Sequence, residues 1–137
     1  MAKDILGQVV GRYLDRDRKT LFTLKQIHSL ARQVAEAMSR KDIQAFGELV
    51  SAAWELNKQL DPNSTNDEVE KLFSRIQPYI YGAKLLGAGG GGFLLIVCKS
   101  AEDAGKVRIM LDTEPANERA RFFNYDVNQE GLVVTVC

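Results

Sequence analysis

Cysteine, histidine and proline are all scarce in this chain, charge of one sign is missing, and no apolar run is long. Two cysteines in 137 residues, Cys98 inside a strand-like run and Cys137 at the C-terminus, are too few for a disulfide framework and point to a reduced, cytoplasmic protein. The one histidine, His28, has no second histidine or cysteine at ligand spacing, so it reads as a structural side chain beside the apolar stripe of a helix. The carboxylates are scattered, and no metal site follows from them. Eighteen basic and 18 acidic residues cancel, which removes the electrostatic case for nucleic acid or an anionic membrane as a partner. No apolar stretch approaches the roughly 18 residues of a spanning helix, and the N-terminus lacks a signal peptide's apolar core. What remains is an ordinary composition, 45% apolar and 26% charged, in a length that predicts one domain over residues 1–137.

Glycine is the exception. Six of the 11 glycines fall between Gly82 and Gly92, and Gly89 to Gly92 are consecutive. Glycine loses more backbone freedom on folding than any other residue, so four in a row are costly unless the missing Cβ atoms are needed. Either the backbone must adopt positive φ, or a ligand or another backbone must come very close. One or two glycines meet the first need, so the length of the run favours close approach. A tight turn or bulge where helix and sheet backbones cross is the plainer alternative.

Around this loop the chain divides into helices first and strands later. Ile5, Leu6, Val9, Val10, Tyr13 and Leu14 recur at helical spacing and predict a helix over 3–17 that begins at the very start of the sequence, as a fragment of a longer chain would. Leu24, Ile27, Ala31, Val34 and Met38 predict a second over 21–38. Ser39-Arg-Lys-Asp42 matches a capping box for a third helix running to Leu60 and packed antiparallel on the second. Pro62 stops it, Thr65-x-x-Glu68 predicts the cap of a fourth helix, and Pro78 closes that one. Strands are expected at 81–86 and 92–99, a helix capped by Ser100-x-x-Asp103 after them, and a last strand pair at 119–127 and 132–136. The expected fold is α+β: a four-stranded, mostly antiparallel sheet with helices on one face.

Several chemistries for the loop fail on context. Gly87-x-Gly89-x-x-Gly92 has the spacing of a dinucleotide fingerprint, but that motif opens a helix, and Phe93-Leu-Leu-Ile-Val97 is a strand sequence. A P-loop requires Lys-Ser/Thr where Phe93 stands. The glycine loop of protein kinases lies between strands, but its His-Arg-Asp and Asp-Phe-Gly partners are missing. A strand–loop–strand anion nest is left, its N–H groups facing a phosphate or a loop that holds one.

Gly82-Ala-Lys-Leu-Leu-Gly-Ala-Gly-Gly-Gly-Gly-Phe93 resembles the third, C-terminal glycine motif of the galactokinase, homoserine kinase, mevalonate kinase and phosphomevalonate kinase (GHMP) superfamily. Ala2-Lys-Asp-Ile-Leu6, Trp54-Glu-Leu-Asn-Lys-Gln-Leu60, Arg119-Ala-Arg-Phe122 and Gly131-Leu-Val-Val134 extend the resemblance over nearly the whole chain, towards bacterial L-fucokinases of the fucokinase/fucose-1-phosphate guanylyltransferase type and then D-glycero-D-manno-heptose 7-phosphate kinases. The resemblance implies a ferredoxin-like C-terminal domain of an ATP- and Mg²⁺-dependent sugar kinase acting on an anomeric hydroxyl. It also implies that the N-terminal domain, with its serine-rich phosphate loop and catalytic base, lies outside these residues. The chain alone is therefore expected to bind neither cofactor and to be inactive, with no catalytic residue or metal ligand of its own.

Under that resemblance Gly87, Ala88, Gly89, Gly90, Gly91 and Gly92 form the nucleotide- and substrate-bracing loop. Lys84 matches the motif's lysine, facing either a substrate oxygen or solvent. Trp54, Asn57 and Lys58 lie in a region of the third helix that faces the cleft in similar kinases, although Trp54 also falls on the apolar face and Asn57 continues it. The expected partners are the missing N-terminal domain, a sugar, and a second copy of the chain in a non-native dimer through the exposed domain face. A stand-alone ligand-binding or assembly module without chemistry is the competing reading, since fold alone does not fix function.

Overall fold

The computed structural model describes residues 2–87, 92–127 and 130. Five α-helices and one hairpin follow in order: α1 (Ala2–Leu14), α2 (Arg18–Ser39), α3 (Ile43–Leu60), α4 (Asp67–Ile76), β1 (Ile80–Leu85), β2 (Leu94–Cys98) and α5 (Ala101–Thr113). Short 3₁₀ turns at Pro62–Ser64 and Gln77–Tyr79 sit at the two prolines expected to end helices.

The helices start where a short side chain meets a free N–H, and this is not always where the capping boxes put it. Ser100 caps α5 as expected: its Oγ accepts from the Asp103 N–H at 3.0 Å and donates to Asp103 Oδ2 at 2.7 Å. The other two boxes are displaced. Ser39 ends α2 and donates to the Ala35 carbonyl, while Asp42 is the true N-cap of α3 and accepts from the Ala45 N–H. Asn66, not Thr65, caps α4 through the Val69 N–H, and the Thr65 hydroxyl donates to Glu70 instead. In both cases an acceptor nearer the helix took the N-cap place.

The three residues between α2 and α3 fold these helices back on each other, and α3 then lies against β1. Two glycines permit that contact. A Cβ on Gly82 would stand 1.8 Å from the Gly47 carbonyl oxygen, and one on Gly47 would stand 2.4 Å from Tyr81 Cβ. Ser51, one helical turn on from Gly47, accepts from the Ala83 N–H at 3.2 Å and so satisfies a donor on the outer edge of β1.

Neighbouring strand residues point to opposite faces, so Ala83 faces away from α3 and into the core. There it joins Ile76 and Val107, packed with Leu72 and Phe73 of α4, Ile96 of β2 and Met110 of α5. Ile76 is fully buried, and truncating it to Ala would cost about 2–5 kcal/mol. Helices thus reach the hairpin from both the Gly82 side and the Ala83 side, which corrects the one-face expectation.

The family-like α+β character holds, but the described sheet has two strands and not four. Residues 119–127 form no strand, and 132–136 lie outside the described residues. The alternation of polar and apolar residues from Arg119 to Val127 slips by one position where Phe122 and Phe123 meet. Phe122 and Phe123 are adjacent and are drawn to different partners, the Arg108 guanidinium and the Phe93 ring. A continuous ladder would send them to opposite faces of one sheet.

Candidate functional site

The glycine loop is the turn of the β1–β2 hairpin. Antiparallel pairing runs from Ile80 opposite Cys98 to Leu85 opposite Leu94, with a bulge between Ile80 and Gly82. One further bond, from the Leu86 N–H to the Phe93 carbonyl at 2.8 Å, closes the ladder at the mouth of the loop. Gly87 and Gly92 stand at the two ends with φ of +86° and +105°, a region that side-chain-bearing residues rarely adopt. Two of the loop's glycines are therefore required by backbone conformation alone. Ala88, Gly89, Gly90 and Gly91 lie outside the described residues.

Space above the two ends is open. Among the described residues nothing comes within 4 Å of a Cβ built on Gly87, and only the Leu86 carbonyl, at 3.8 Å, comes near one on Gly92. The crossing of helix and strand backbones that was the plainer account of the loop does occur in this molecule, but at Gly47 and Gly82. Sequence reading missed that pair. A lone glycine inside a helix, as at Gly47, is its one local signal.

Lys84 lies three residues before Gly87 on β1, opposite Leu95. It is half-buried, and that burial pushes its ammonium below the ordinary lysine value. Among the described residues no carboxylate pairs with it. At the other mouth of the loop, Phe93 is met edge-on by Phe123, with ring centroids 5.1 Å apart. The Arg121 guanidinium lies 4.9 Å over the Phe123 ring, and Arg108 of α5 lies 4.9 Å over Phe122. Residues 121–123 are thus tied both to Phe93, just before β2, and to α5.

The α3 candidates form a separate group. Trp54 is buried, with its ring edge-on to Phe73 at 5.9 Å and its indole Nε1 without a hydrogen-bond partner. Lys58 is held 2.7 Å from Glu55 and 3.4 Å from Glu70 of α4. Burial works to lower its pKa, and the two carboxylates outweigh that and hold it above the ordinary value. Asn57 is half-buried, and its carbonyl accepts from the Asp61 N–H and the Ser64 hydroxyl. No hydrogen bond or ion pair joins Trp54, Asn57 or Lys58 to Lys84. His28 lies exposed on α2.

This geometry leaves room at Gly87 and Gly92, the two ends of the turn, for a phosphorylated group or the loop that grips one to come close.

Comparison with known proteins agrees on the family. The family described as GHMP kinases C terminal matches residues 34–116. A bifunctional fucokinase/GDP-fucose pyrophosphorylase of Arabidopsis thaliana is 40% identical over 127 residues, covering 93% of this chain and 12% of that protein. An L-fucokinase/L-fucose-1-P guanylyltransferase of Bacteroides fragilis is 35% identical over 134 residues, covering 98% of this chain and 14% of its own length. The chain therefore spans only a small part of these curated relatives. The structure of L. major mevalonate kinase in complex with R-mevalonate superposes with a TM-score of 0.68 at 22% identity, over 86% of this chain and 36% of the kinase, which is a likeness of fold.

Proposed function

Because the chain belongs to the GHMP kinases as their C-terminal domain, we propose that it is the C-terminal part of an ATP-dependent sugar kinase, with L-fucose, or failing that a heptose 7-phosphate, as the acceptor of phosphate at its anomeric hydroxyl. The observation that carries this reading is the hairpin turn itself: glycines in left-handed conformation at both ends, with open space above them.

Phosphoryl transfer is driven by positioning and by stabilisation of charge around the moving group, with little covalent work for the protein. In that scheme residues 87–92 brace the nucleotide and substrate site. The deprotonation of the sugar hydroxyl and the wrapping of the ATP phosphates belong to the rest of the enzyme. Mg²⁺ would neutralise phosphate charge there. Among the described residues no cluster of carboxylate, histidine or cysteine side chains is able to hold it.

The same reading gives the exposed face of α1 a role. Leu6, Val10, Tyr13 and Leu14 all point outward, and they would meet the N-terminal domain in the whole enzyme and a second copy of the chain when isolated. Among the described residues no helix is long and apolar enough to cross a membrane. A cytoplasmic location is part of the proposal.

The test is an ATP- and Mg²⁺-dependent L-fucose phosphorylation assay in two arms. The 137-residue chain alone should show no turnover. Fused behind the N-terminal kinase segment of the Bacteroides fragilis relative, it should phosphorylate fucose, and Gly92→Val in that fusion should lower kcat/KM by about 100-fold. Robust turnover by the isolated chain, or a well-folded fusion that phosphorylates no sugar, would overturn the reading.

A further inference from the structure

The first helix, α1, meets the rest of the molecule along a narrow strip. Ile5 is buried and Val9 and Arg12 are half-buried, while every other described side chain of the helix is exposed. Arg12 pins that strip: its guanidinium donates to the Leu60 carbonyl and lies 3.8 Å from Asp61 Oδ2, a carboxylate that is 1% exposed. A buried carboxylate is costly to leave unpaired, so α1 is held in place although few apolar groups attach it. The outer side has the shape that a second helix needs. Residues four apart line up along a helix, so Leu6, Val10 and Leu14, all more than half exposed, make a ridge, and Gly7 and Gly11 make a groove beside it. Neither glycine has positive φ, and among the described residues nothing lies within 4 Å of a Cβ built on either one. Glycine weakens a helix interior, so the pair lowers the stability of α1 and serves no contact within the described residues. Gly47 shows how a helical glycine is used in this molecule: β1 fills the place of its side chain.

We infer that this side of α1 docks an apolar helix from the upstream part of the same polypeptide, which lays a ridge of its own in the Gly7 and Gly11 groove beside Leu6, Val10 and Leu14. Two observations select that occupant. The helix lies on the N-terminal side of the matched family residues 34–116, that family is the C-terminal part of its kinases, and the curated relatives carry most of their length outside the part this chain matches. The face is also small. One side of a 13-residue helix offers roughly half of the ~800 Å² per partner that a stable complex between separate molecules buries. Tethering makes up that shortfall, because a segment of the same chain is present at an effective concentration on the order of millimolar. Only the identity of the upstream segment as a kinase domain rests on the kinase reading. The ridge, the groove and the pin beneath them do not.

Amide hydrogen exchange tests this by comparing α1 in the 137-residue chain with α1 in the fusion behind the N-terminal kinase segment of the Bacteroides fragilis relative. Exchange over residues 5–14 should slow about tenfold in the fusion. Gly7→Gln combined with Gly11→Gln should abolish that protection by filling the groove. The same pair should leave the melting temperature of the isolated chain unchanged or raised, because glutamine is the better helix former. Val10→Asp should abolish the protection as well. Gly105→Gln on α5, where a helical glycine also faces open space, should leave it intact. Equal exchange in the isolated chain and a well-folded fusion would overturn the inference, as would protection that survives the filling of both glycines. So would a lower melting temperature of the doubly substituted isolated chain, since the glycines would then serve its own fold. An isolated chain that light scattering finds dimeric through α1 at low micromolar concentration would make a second copy the occupant and overturn it too. A fusion that protects α1 but phosphorylates no sugar would keep the docking face and remove the kinase reading, and an active fusion with unprotected α1 would do the reverse.

Discussion

At Gly47 and Gly82 the space where a side chain would stand is filled by the molecule itself, while at Gly87 and Gly92 the described residues leave that space open. The first pair lets a helix and a strand approach closer than any Cβ would permit, and Ser51 then secures the contact by accepting from the Ala83 N–H. The second pair supplies positive φ at the ends of a turn and faces outward. Glycine at the crossing is thus a packing requirement met within the chain. Around the turn, the open space is what the proposed bracing of a nucleotide or substrate would use. Conspicuous clustering in sequence marks the second kind of use, and solitary placement conceals the first.

Substitutions at the two pairs separate these roles. Gly82→Ala should have the largest effect, because its Cβ would meet backbone that has no rotamer to yield, with a loss of about 3 kcal/mol or more in urea unfolding followed by Trp54 fluorescence. A loss near zero would show that α3 can slide off β1, and the contrast would vanish. Gly92→Ala should cost only about 1–2 kcal/mol, from the strained backbone, since nothing obstructs the new methyl group.

Lys84→Met should have the smallest effect and the opposite sign, stabilising the unliganded chain by less than about 1 kcal/mol as it removes a half-buried charge. The pH dependence follows from the same burial. Lys84's folded pKa lies below its unfolded value of 10.5, so the unfolded chain binds that proton more strongly. The cost is complete below the folded pKa and disappears as pH rises towards 10.5. The stability advantage of Lys84→Met over the wild-type chain should therefore shrink at alkaline pH, as paired thermal melts would show. An advantage independent of pH would mean that Lys84 is solvated like any surface lysine.

Much of the helical framework was legible because it rests on local periodicity: the apolar spacing of α2, α3 and α4 and the stops at Pro62 and Pro78 appear in the fold nearly where expected. The caps were less legible. Ser39 and Thr65 match the capping pattern, but Asp42 and Asn66 lie closer to where the first free N–H groups emerge, and the pattern does not encode that competition. The candidate site was half legible. Its turn is written in consecutive glycines, and the lysine before it belongs to the same run. The stack of Arg121 on Phe123 and Phe93 beside the turn was hidden, because its ring contact joins residues 30 positions apart that no short window contains.

Ser51's hydroxyl bond to Ala83 also governs how the sheet can associate with other chains. By occupying a main-chain donor on β1's outer margin, and with α3 lying alongside, it denies an intruding strand the free ladder it would need there. Among the described residues β2's far margin has no such guard. Of the two margins as the described residues leave them, β2's is the one a recruited strand, from a neighbouring molecule in an aggregate or from an added peptide, would find open.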